Sequence, residues 1–422
     1  MNEILTLLNA ATPAERLANL RRLDTPFPPM EDHINNHIHT TFSFSPYSPT
    51  AAAWRARAEG LCTAGIIDHD SLGGNREFLE ACRVLGLGGT NGVECRVSMA
   101  GTPFESVRVN NPDQPGNAYI LLHAVPHARI EEVDDFFAPR REKRNDRNRA
   151  MIAKLNALLA GSGVSLDFDR DVLPISQYAN RGTVTERHLS SALALKLGHV
   201  FGSGERLVAF LRGLDKPVTA RQEALLSDPE NPHFHYDLIG WIKAELIPAF
   251  YIPATDECAP VADVIALADR VGAISAYSYL GDVGESVTGD KRAQKFEDDY
   301  LDALMDTVAD LGFKAVAYMP TRNTPAQLER LRALIEKHNF MPICGEDINQ
   351  PRQKFVCEAM RGGRFGELRE ATWAMIAHER EENGLFSAAA AKRWPDLAER
   401  VAAFAELGRT YTERERSEGA RF

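Results

Sequence analysis

The sequence predicts an α/β fold in which a parallel sheet closes into a barrel. Short apolar segments alternate with helical segments over residues 33–125, and the alternation resumes over residues 258–349. Strands and helices joined by short connections are typical of parallel sheets. A polar residue also stands at or near the end of most predicted strands, where such folds gather their active sites. Counting the apolar segments gives about seven strands in one barrel.

Composition excludes several classes of protein. The 422 residues include 48 Lys and Arg against 59 Asp and Glu, a net charge of -11, which does not suit a surface that coats nucleic acid. No apolar run approaches the roughly 20 residues that span a bilayer. The N-terminal segment is an amphipathic helix pattern without the core of a signal peptide. We therefore expect a cytoplasmic protein with no membrane partner.

The six cysteines are scattered and form no C-x-x-C pair. This argues against a disulfide framework and against a zinc site built from thiolates. We interpret them as buried or incidental thiols.

The chain divides into a barrel with three additions. Residues 1–30 predict a helical arm that ends at a cluster of prolines. Residues 31–349 predict the barrel, and within it residues 127–250 predict a mainly helical insertion whose first long helix is strongly basic at residues 140–149. Residues 350–422, rich in Ala, Glu and Arg, predict a C-terminal helical extension.

The stretch HINNHIHTT places His37 and His39 two residues apart at the end of the first predicted strand. Side chains at i and i+2 of a strand point to one face, so two imidazoles can hold one metal ion. Taken alone, the pair also fits core histidines that hydrogen-bond to the backbone.

The later strand ends supply further candidates, namely Asp68, His69, Glu94, His123 and Asp347. Asp68 has an alternative role, because Asp68 and Asp70 with Ser71 also fit the start of a helix. His127 competes with His123 and fits a surface position better.

Five of these motifs, H-x-H-T, IIDHDS, NGVE, LLH and GED-x-N, resemble in order and spacing those of the PHP (polymerase and histidinol phosphatase) family of metal-dependent phosphoesterases. The likeness covers residues 33–125 and 258–349. Residues 187–211 are similar to the helical insert of the branch that acts on nucleoside bisphosphates and short RNA 5′ ends. The resemblance implies a distorted (β/α)7 barrel with a helical insertion, helical N- and C-terminal additions and a cluster of up to three metal ions.

Carried over by motif, the first metal position is complete, with the ligands His37, His39, Glu94 and Asp347. Two imidazoles and two carboxylates suit Mn, Fe or Zn. The second position shares Glu94 and takes His123. It lacks the next histidine of the family, because Ala276-Tyr277-Ser278 stands in place of Ala-His-Pro.

The third position retains His69 but has Phe44 or Ser45 where the family has aspartate or histidine, and Asn349 where it has histidine. We therefore expect one to two divalent ions per chain, with the third absent or weakly held. His69 is then expected to act as a general acid or base, and Tyr277 to stabilise a leaving oxygen.

Three residues of the insertion are candidates for substrate phosphate. The guanidinium groups of Arg144 and Arg147 suit phosphate, although a basic run is also typical of a solvated helix face. His188 stands where the resembled branch has Arg-Pro-His, and its alternative is local packing at a helix start. His233 and His235 form a second His-x-His pair, which fits either a replacement ligand or a structural loop.

The predicted function is metal-dependent hydrolysis of a phosphate monoester or diester. The expected partner is a small phosphorylated substrate, a nucleotide among the candidates, or a short nucleic acid. The alternative is a catalytically degenerate PHP protein that binds a phosphorylated ligand or partner. No phosphate-binding G-x-x-x-x-G-K-[ST] loop, G-x-S-x-G elbow or dinucleotide fingerprint occurs in the sequence.

Overall fold

The computed structural model describes residues 2–283 and 294–419. Its centre is an eight-stranded sheet. The strands are β1 (Ile34–Ile38), β2 (Thr63–His69), β3 (Gly88–Ser98), β4 (Asn117–His123), β5 (Ala259–Pro260), β6 (Ile274–Ser278), β7 (Ala315–Tyr318) and β8 (Met341–Cys344).

The sheet is a nearly closed barrel surrounded by helices, as the sequence predicts. Its strand order is β1-β2-β3-β4-β6-β7-β8, with the short β5 paired to the end of β3. The two ends of this path meet just after β8, where Ile38 and Ile348 form a parallel bridge. The first and last strands thus close the barrel through a narrow seam.

The prediction that all the barrel strands are parallel is wrong for β4, which runs antiparallel to both β3 and β6. A parallel pair needs a crossover connection, usually a helix. The segment 99–116 between β3 and β4 contains only turns and bends, so the chain returns beside β3 in the opposite direction. The carboxyl end of β4 consequently lies deeper in the barrel than those of its neighbours.

Sixteen α-helices occur in the described ranges. They are α1 (Asn2–Leu8), α2 (Pro13–Arg22), α3 (Pro49–Ala58), α4 (Asn75–Leu85), α5 (Ile130–Leu158), α6 (Glu186–Phe201), α7 (Glu205–Gly213), α8 (Ala220–Ser227), α9 (Phe234–Trp241), α10 (Ile247–Phe250), α11 (Val261–Val271), α12 (Leu301–Asp310), α13 (Pro325–Lys337), α14 (Gly366–His378), α15 (Ala388–Arg393) and α16 (Leu397–Gly419).

The helices between β4 and β5 have an apolar core of their own. It contains Met151 of α5, Leu193 of α6 and Trp241 of α9, all buried, and it is separate from the core around the sheet. An amphipathic face that buries itself among neighbouring helices stabilises such a bundle without help from the sheet. This helical bundle lies against the barrel end that carries the candidate site.

The terminal additions pack on the outside of the barrel. Arg16 of α2 forms a buried ion pair with Glu77 of α4, which fixes the N-terminal helices. At the other end of the chain, α14 brings Trp373 and Ile376 against Gly88, the first residue of β3. All six cysteines are buried and free, as predicted. Within the described ranges, no helix combines the length and the apolar composition needed to cross a membrane.

Candidate active site

A cavity of about 640 Å³ lies between the barrel and the helical bundle. Its barrel side is lined by residues at or near strand ends, including His37, His69, Glu94 and Asp347. Its bundle side is lined by residues of α6, α9 and α10 and of the short π-helix Ile242–Leu246 between the last two. Cavities of this size suit small organic ligands.

The structure brings together the four residues predicted for the first metal position. His37 is in β1, His39 follows it, Glu94 is in β3 and Asp347 follows β8. Glu94 Oε2 lies 3.6 Å from Nε2 of both His37 and His39, and Asp347 Oδ1 lies 3.3 Å from His39 Nε2. Gly345 allows the chain after β8 to pass close to His37, since a Cβ at residue 345 would lie 2.5 Å from the His37 Cβ.

His69 joins the same cluster from the end of β2. Its Nδ1 lies 3.0 Å from Glu94 Oε2, and its ring centroid is 4.6 Å from that of His39. The side chain remains 28% exposed, so it is open to the cavity. Two overlapping groups therefore have metal-ligand spacing, one of His37, His39 and Asp347 and one of His39, His69 and Glu94.

The donor atoms fit a divalent metal ion. His37 Nε2 and His123 Nε2 are buried and have no hydrogen-bond partner among the described residues. Buried polar atoms are normally paired, so unpaired imidazole nitrogens in a cluster with carboxylates fit a site that would hold a cation. Imidazole and carboxylate together suit Mn, Fe or Zn.

The electrostatics of Glu94, His39 and His123 also suit metal binding. Burial alone would raise the pKa of Glu94, but the charges of His69 and His37 outweigh it and hold that pKa well below its usual range. Burial lowers the pKa of His39, and it lowers the pKa of His123 to about 3. Burial would lower the pKa of His37, but the charge and hydrogen bond of Glu94, together with the charges of Asp347 and Glu346, raise it. Ionised carboxylates and neutral imidazoles are the forms that bind metal.

His123 lies below the cluster rather than beside it. It is opposite Gly92 in β3, two residues before Glu94, because β4 is antiparallel. Side chains two residues apart share a face, so His123 points to the same interior as Glu94. It lines the floor of the cavity.

Tyr277 is not in the cavity, contrary to the prediction that it stabilises a leaving oxygen. It is opposite Ile120 in β4, which is three residues before the inward-facing His123 and therefore faces outward. Tyr277 consequently points towards the outer helices. Its ring packs on Phe313, and its hydroxyl donates to Glu297 Oε2 at 3.4 Å. The neighbours that line the cavity are Ser278 and Tyr279.

Arg144 and Arg147, predicted to bind substrate phosphate, are already paired with carboxylates. Arg144 bonds Asp70 and Glu257 at 2.8 and 3.0 Å. Arg147 bonds Glu257 and Glu186, both at 2.5 Å. Only Arg144 of the two lines the cavity. Any phosphate would have to compete with buried carboxylates for these groups, because α5 uses them to join the bundle to the barrel.

The remaining candidates occupy supporting positions. His188 accepts a hydrogen bond at Nδ1 from the Thr185 backbone and thus caps the start of α6. Asn349 Nδ2 donates to Asp347 Oδ1 at 2.6 Å. Asp68 is fully buried behind the cluster. His127 pairs with Glu379 away from the cavity.

The second His-x-His pair contributes no ligand to the cluster. His233 lies in the turn before α9, and His235 Nε2 lies 2.9 Å from Ser191 Oγ of α6. Both stay on the bundle side, and neither lines the cavity.

The sequence reasoning missed Arg187, the second residue of α6. It lines the cavity, and its charge helps to lower the pKa of Asp347. It makes no ion pair with any residue of the described ranges. Its position directly before His188 was the available signal. Lys243 and Tyr236 line the same side.

No protein-family model matches the chain. It is 28% identical over 156 residues to a 5′–3′ exoribonuclease of Haemophilus influenzae, a match that covers 36% of this chain. The match spans 55% of that relative, so the chain corresponds to about half of its length.

The fold is shared with a solved structure from Bifidobacterium adolescentis, provisionally assigned as a metal-dependent phosphoesterase. The TM-score is 0.50 at 21% identity, over 78% of this chain and 94% of that one. An amidohydrolase of Chromobacterium violaceum, solved with sulfate and without metal, has a TM-score of 0.49 at 17% identity, over 77% of this chain and 90% of that one. The likeness to the first of these structures shows the barrel fold.

Proposed function

We propose that this protein is a metal-dependent phosphoesterase that hydrolyses a phosphate monoester or diester. The observation that carries the proposal is the cluster of His37, His39, Glu94 and Asp347 on the barrel side of a ligand-sized cavity, with the guanidinium of Arg187 on the bundle side. The imidazoles and carboxylates would bind a metal cation, and the guanidinium opposite them would bind an anion. This combination suits a phosphate ester as substrate. The names of the exoribonuclease and phosphoesterase relatives agree with this class.

His37, His39, Glu94 and Asp347 would hold the main ion, and His123 with Glu94 would hold a second. A bound divalent ion supplies a more acidic water and neutralises charge on the phosphoryl oxygens. His69 lies at the edge of the cluster and is open to the cavity, so it would exchange a proton with the reacting groups. Asn349 holds the carboxylate of Asp347 in place through its hydrogen bond.

Arg187 is the residue that we assign to the substrate phosphate, in place of the predicted Arg144 and Arg147. Arg187 forms no ion pair within the part of the chain that the structure describes, whereas Arg144 and Arg147 are both paired with carboxylates. A guanidinium presents several donors to phosphate oxygens at once. Nucleotides and short nucleic acids are the substrates to test first, since the curated relative is named as an exoribonuclease.

The test is hydrolysis of a panel of phosphate esters by protein supplied with Mn, Fe or Zn. We expect turnover by the wild type and none by the double variant His37→Ala, Asp347→Ala, which should remain folded. Turnover at the wild-type rate in the double variant would contradict the proposal.

Arg187→Ala should raise KM roughly tenfold to a hundredfold, because a hydrogen bond to a charged group contributes about 1.5–3 kcal/mol. The matched control is Arg206→Ala, which removes an equal charge from an exposed position in α7. It should leave KM unchanged. Equal effects of the two variants would remove Arg187 from the site.

A second candidate function is binding of a phosphorylated ligand without turnover. It is favoured by Tyr277, which stands where the resembled family has a histidine ligand and points out of the barrel. A binding protein would be stabilised by ligands of the panel without hydrolysing them.

A further inference from the structure

A chain of hydrogen bonds runs behind His39, on the side away from the carboxylates of the cluster. His39 Nδ1 lies 3.2 Å from Ser43 Oγ. Ser43 Oγ lies 2.6 Å from Asp68 Oδ1. All three side chains are buried, with exposures of 2%, 1% and 0%.

The direction of these bonds follows from what each group is able to donate. Asp68 also accepts from the Thr40 backbone N–H at 2.7 Å and from the Thr40 hydroxyl at 2.5 Å. An ionised carboxylate only accepts, so Ser43 must give its single hydroxyl proton to Asp68. Ser43 Oγ then has only lone pairs left for His39, and His39 Nδ1 must be the donor.

The other nitrogen of the ring is fixed by the same reasoning. In a neutral imidazole one nitrogen carries the proton and the other carries a lone pair. If Nδ1 is protonated, the lone pair is on Nε2. That atom faces Asp347 Oδ1 at 3.3 Å and Glu94 Oε2 at 3.6 Å. A lone pair on Nε2 is thus directed to the place where a metal ion shared with the two carboxylates would lie.

We propose that Ser43 and Asp68 are a positioning pair that holds His39 in the Nδ1-protonated tautomer, so that Nε2 is presented to a metal ion. The role in metal binding rests on the proposed function, whereas the tautomer does not. Hydrogen-bond partners behind a ligating histidine are known to orient the ring and to raise its affinity for metal.

Backbone contacts of the loop that carries Ser43 hold this residue in position between His39 and Asp68. Residue Phe44 has a φ of 99°, a conformation that a residue with a large side chain rarely adopts. Thr185, at the start of α6, donates its hydroxyl to the Ser43 carbonyl at 3.2 Å. The Thr183 N–H donates to the Phe42 carbonyl at 2.7 Å. The helical bundle therefore anchors the loop that orients His39.

The first experiment observes the tautomer directly. Long-range ¹H–¹⁵N spectra of metal-free protein with labelled histidine, recorded at pH 8, distinguish the two tautomers of each ring. The signals of His39 are those that disappear in His39→Gln. We expect the Nδ1-protonated form in the wild type, and the Nε2-protonated form would overturn the proposal.

The second experiment compares Ser43→Ala with Ser45→Ala. Ser45 belongs to the same loop, is also buried and has no partner for its hydroxyl among the described residues, so it controls for the loss of one hydroxyl. Ser43→Ala should give a mixture of His39 tautomers and weaken metal binding, measured by titration with Mn or Zn, about 10- to 100-fold. Ser45→Ala should change neither.

The outcomes separate this proposal from the proposed function. If the wild type binds none of Mn, Fe or Zn, the proposed function fails, while the spectra still decide whether Ser43 and Asp68 set the tautomer. If Ser43→Ala keeps the wild-type tautomer and affinity, the positioning pair is overturned even though metal binding stands. A changed tautomer with unchanged affinity would overturn the role in metal binding.

Discussion

Glu297 is a carboxyl group buried without a cationic partner in the described ranges. Its Oε1 accepts hydrogen bonds from the backbone N–H groups of Leu280 and Gly281 at 2.7 and 3.1 Å. Burial raises its pKa to about 7, and the nearby charge of Asp298 acts in the same direction. Glu297 thus fixes the end of β6, where Leu280 lines the cavity.

A raised pKa of this kind predicts a specific dependence of stability on pH. The unfolded chain releases the proton near its ordinary pKa of 4.5, whereas the folded chain keeps it to about 7. The stabilisation is therefore complete below pH 4.5 and is lost as the pH rises to 7. At about 1.4 kcal/mol per unit of pKa, the loss is about 3 kcal/mol.

The measurement is the free energy of urea unfolding of wild type and Glu297→Gln between pH 4.5 and 8. Glutamine keeps the acceptor and does not ionise, so the difference between the two proteins should decline over this range and then level off. Glu336→Gln, at an exposed position in α13, serves as the control and should run parallel to the wild type. A constant difference for Glu297→Gln would contradict the raised pKa.

At the scale of elements, a buried network of charges contributes to the contact between α5 and the barrel. Glu257, just before β5, accepts from Arg144 and Arg147 of α5 and from Arg96 of β3, with a side-chain exposure of 2%. Glu257→Ala would leave three buried arginines with too few carboxylates. Removing one partner of a buried pair typically costs about 3–5 kcal/mol.

This cost is measured by urea unfolding followed through tryptophan fluorescence, to which Trp241 contributes from the helical bundle. The control is Glu223→Ala, which breaks an exposed pair with Arg212 and should cost no more than about 1 kcal/mol. If Glu257→Ala costs no more than this control, the network does not hold the bundle on the barrel.

The same network explains why part of the site was not predictable from sequence. The basic run of α5 led to the prediction that Arg144 and Arg147 bind phosphate, but their partner Glu257 is more than a hundred residues away along the chain. Only the folded structure shows that their charges are already neutralised. Arg187 was missed because its position directly before His188 does not show that its side chain lines the cavity without an ion pair in the described ranges.

Strand periodicity predicts which side chains of one strand share a face, but not how the strand is oriented in the sheet. The His-x-His spacing predicted correctly that His37 and His39 share a face, because alternation within one strand is a local property. The direction of β4 and the outward orientation of Tyr277 depend on which strands become neighbours. The apolar pattern of a seven-residue segment does not indicate whether the strand runs parallel or antiparallel to its neighbours. This direction is determined only when the barrel forms.

At the scale of the molecule, the predicted metal ion would lie across the seam that closes the barrel. His37 and His39 belong to the first strand and its end, whereas Asp347 follows the last strand. Across the seam, the His39 N–H donates to the Ile348 carbonyl at 2.9 Å, and the Ile348 N–H donates to the His37 carbonyl at 3.0 Å. A shared ion would add bonds between the same two ends of the sheet.

Metal should therefore stabilise the whole barrel and not only the site. An ion that binds only the folded state adds about 2.7 kcal/mol at a hundredfold excess over Kd, so thermal unfolding should shift to higher temperature as Mn or Zn is added and shift back with a chelator. The double variant His37→Ala, Asp347→Ala removes ligands from both sides of the seam and should unfold at one temperature with or without metal. An equal shift in the double variant would place the stabilising ion elsewhere, because no ligand pair would then remain to connect the first strand with the last.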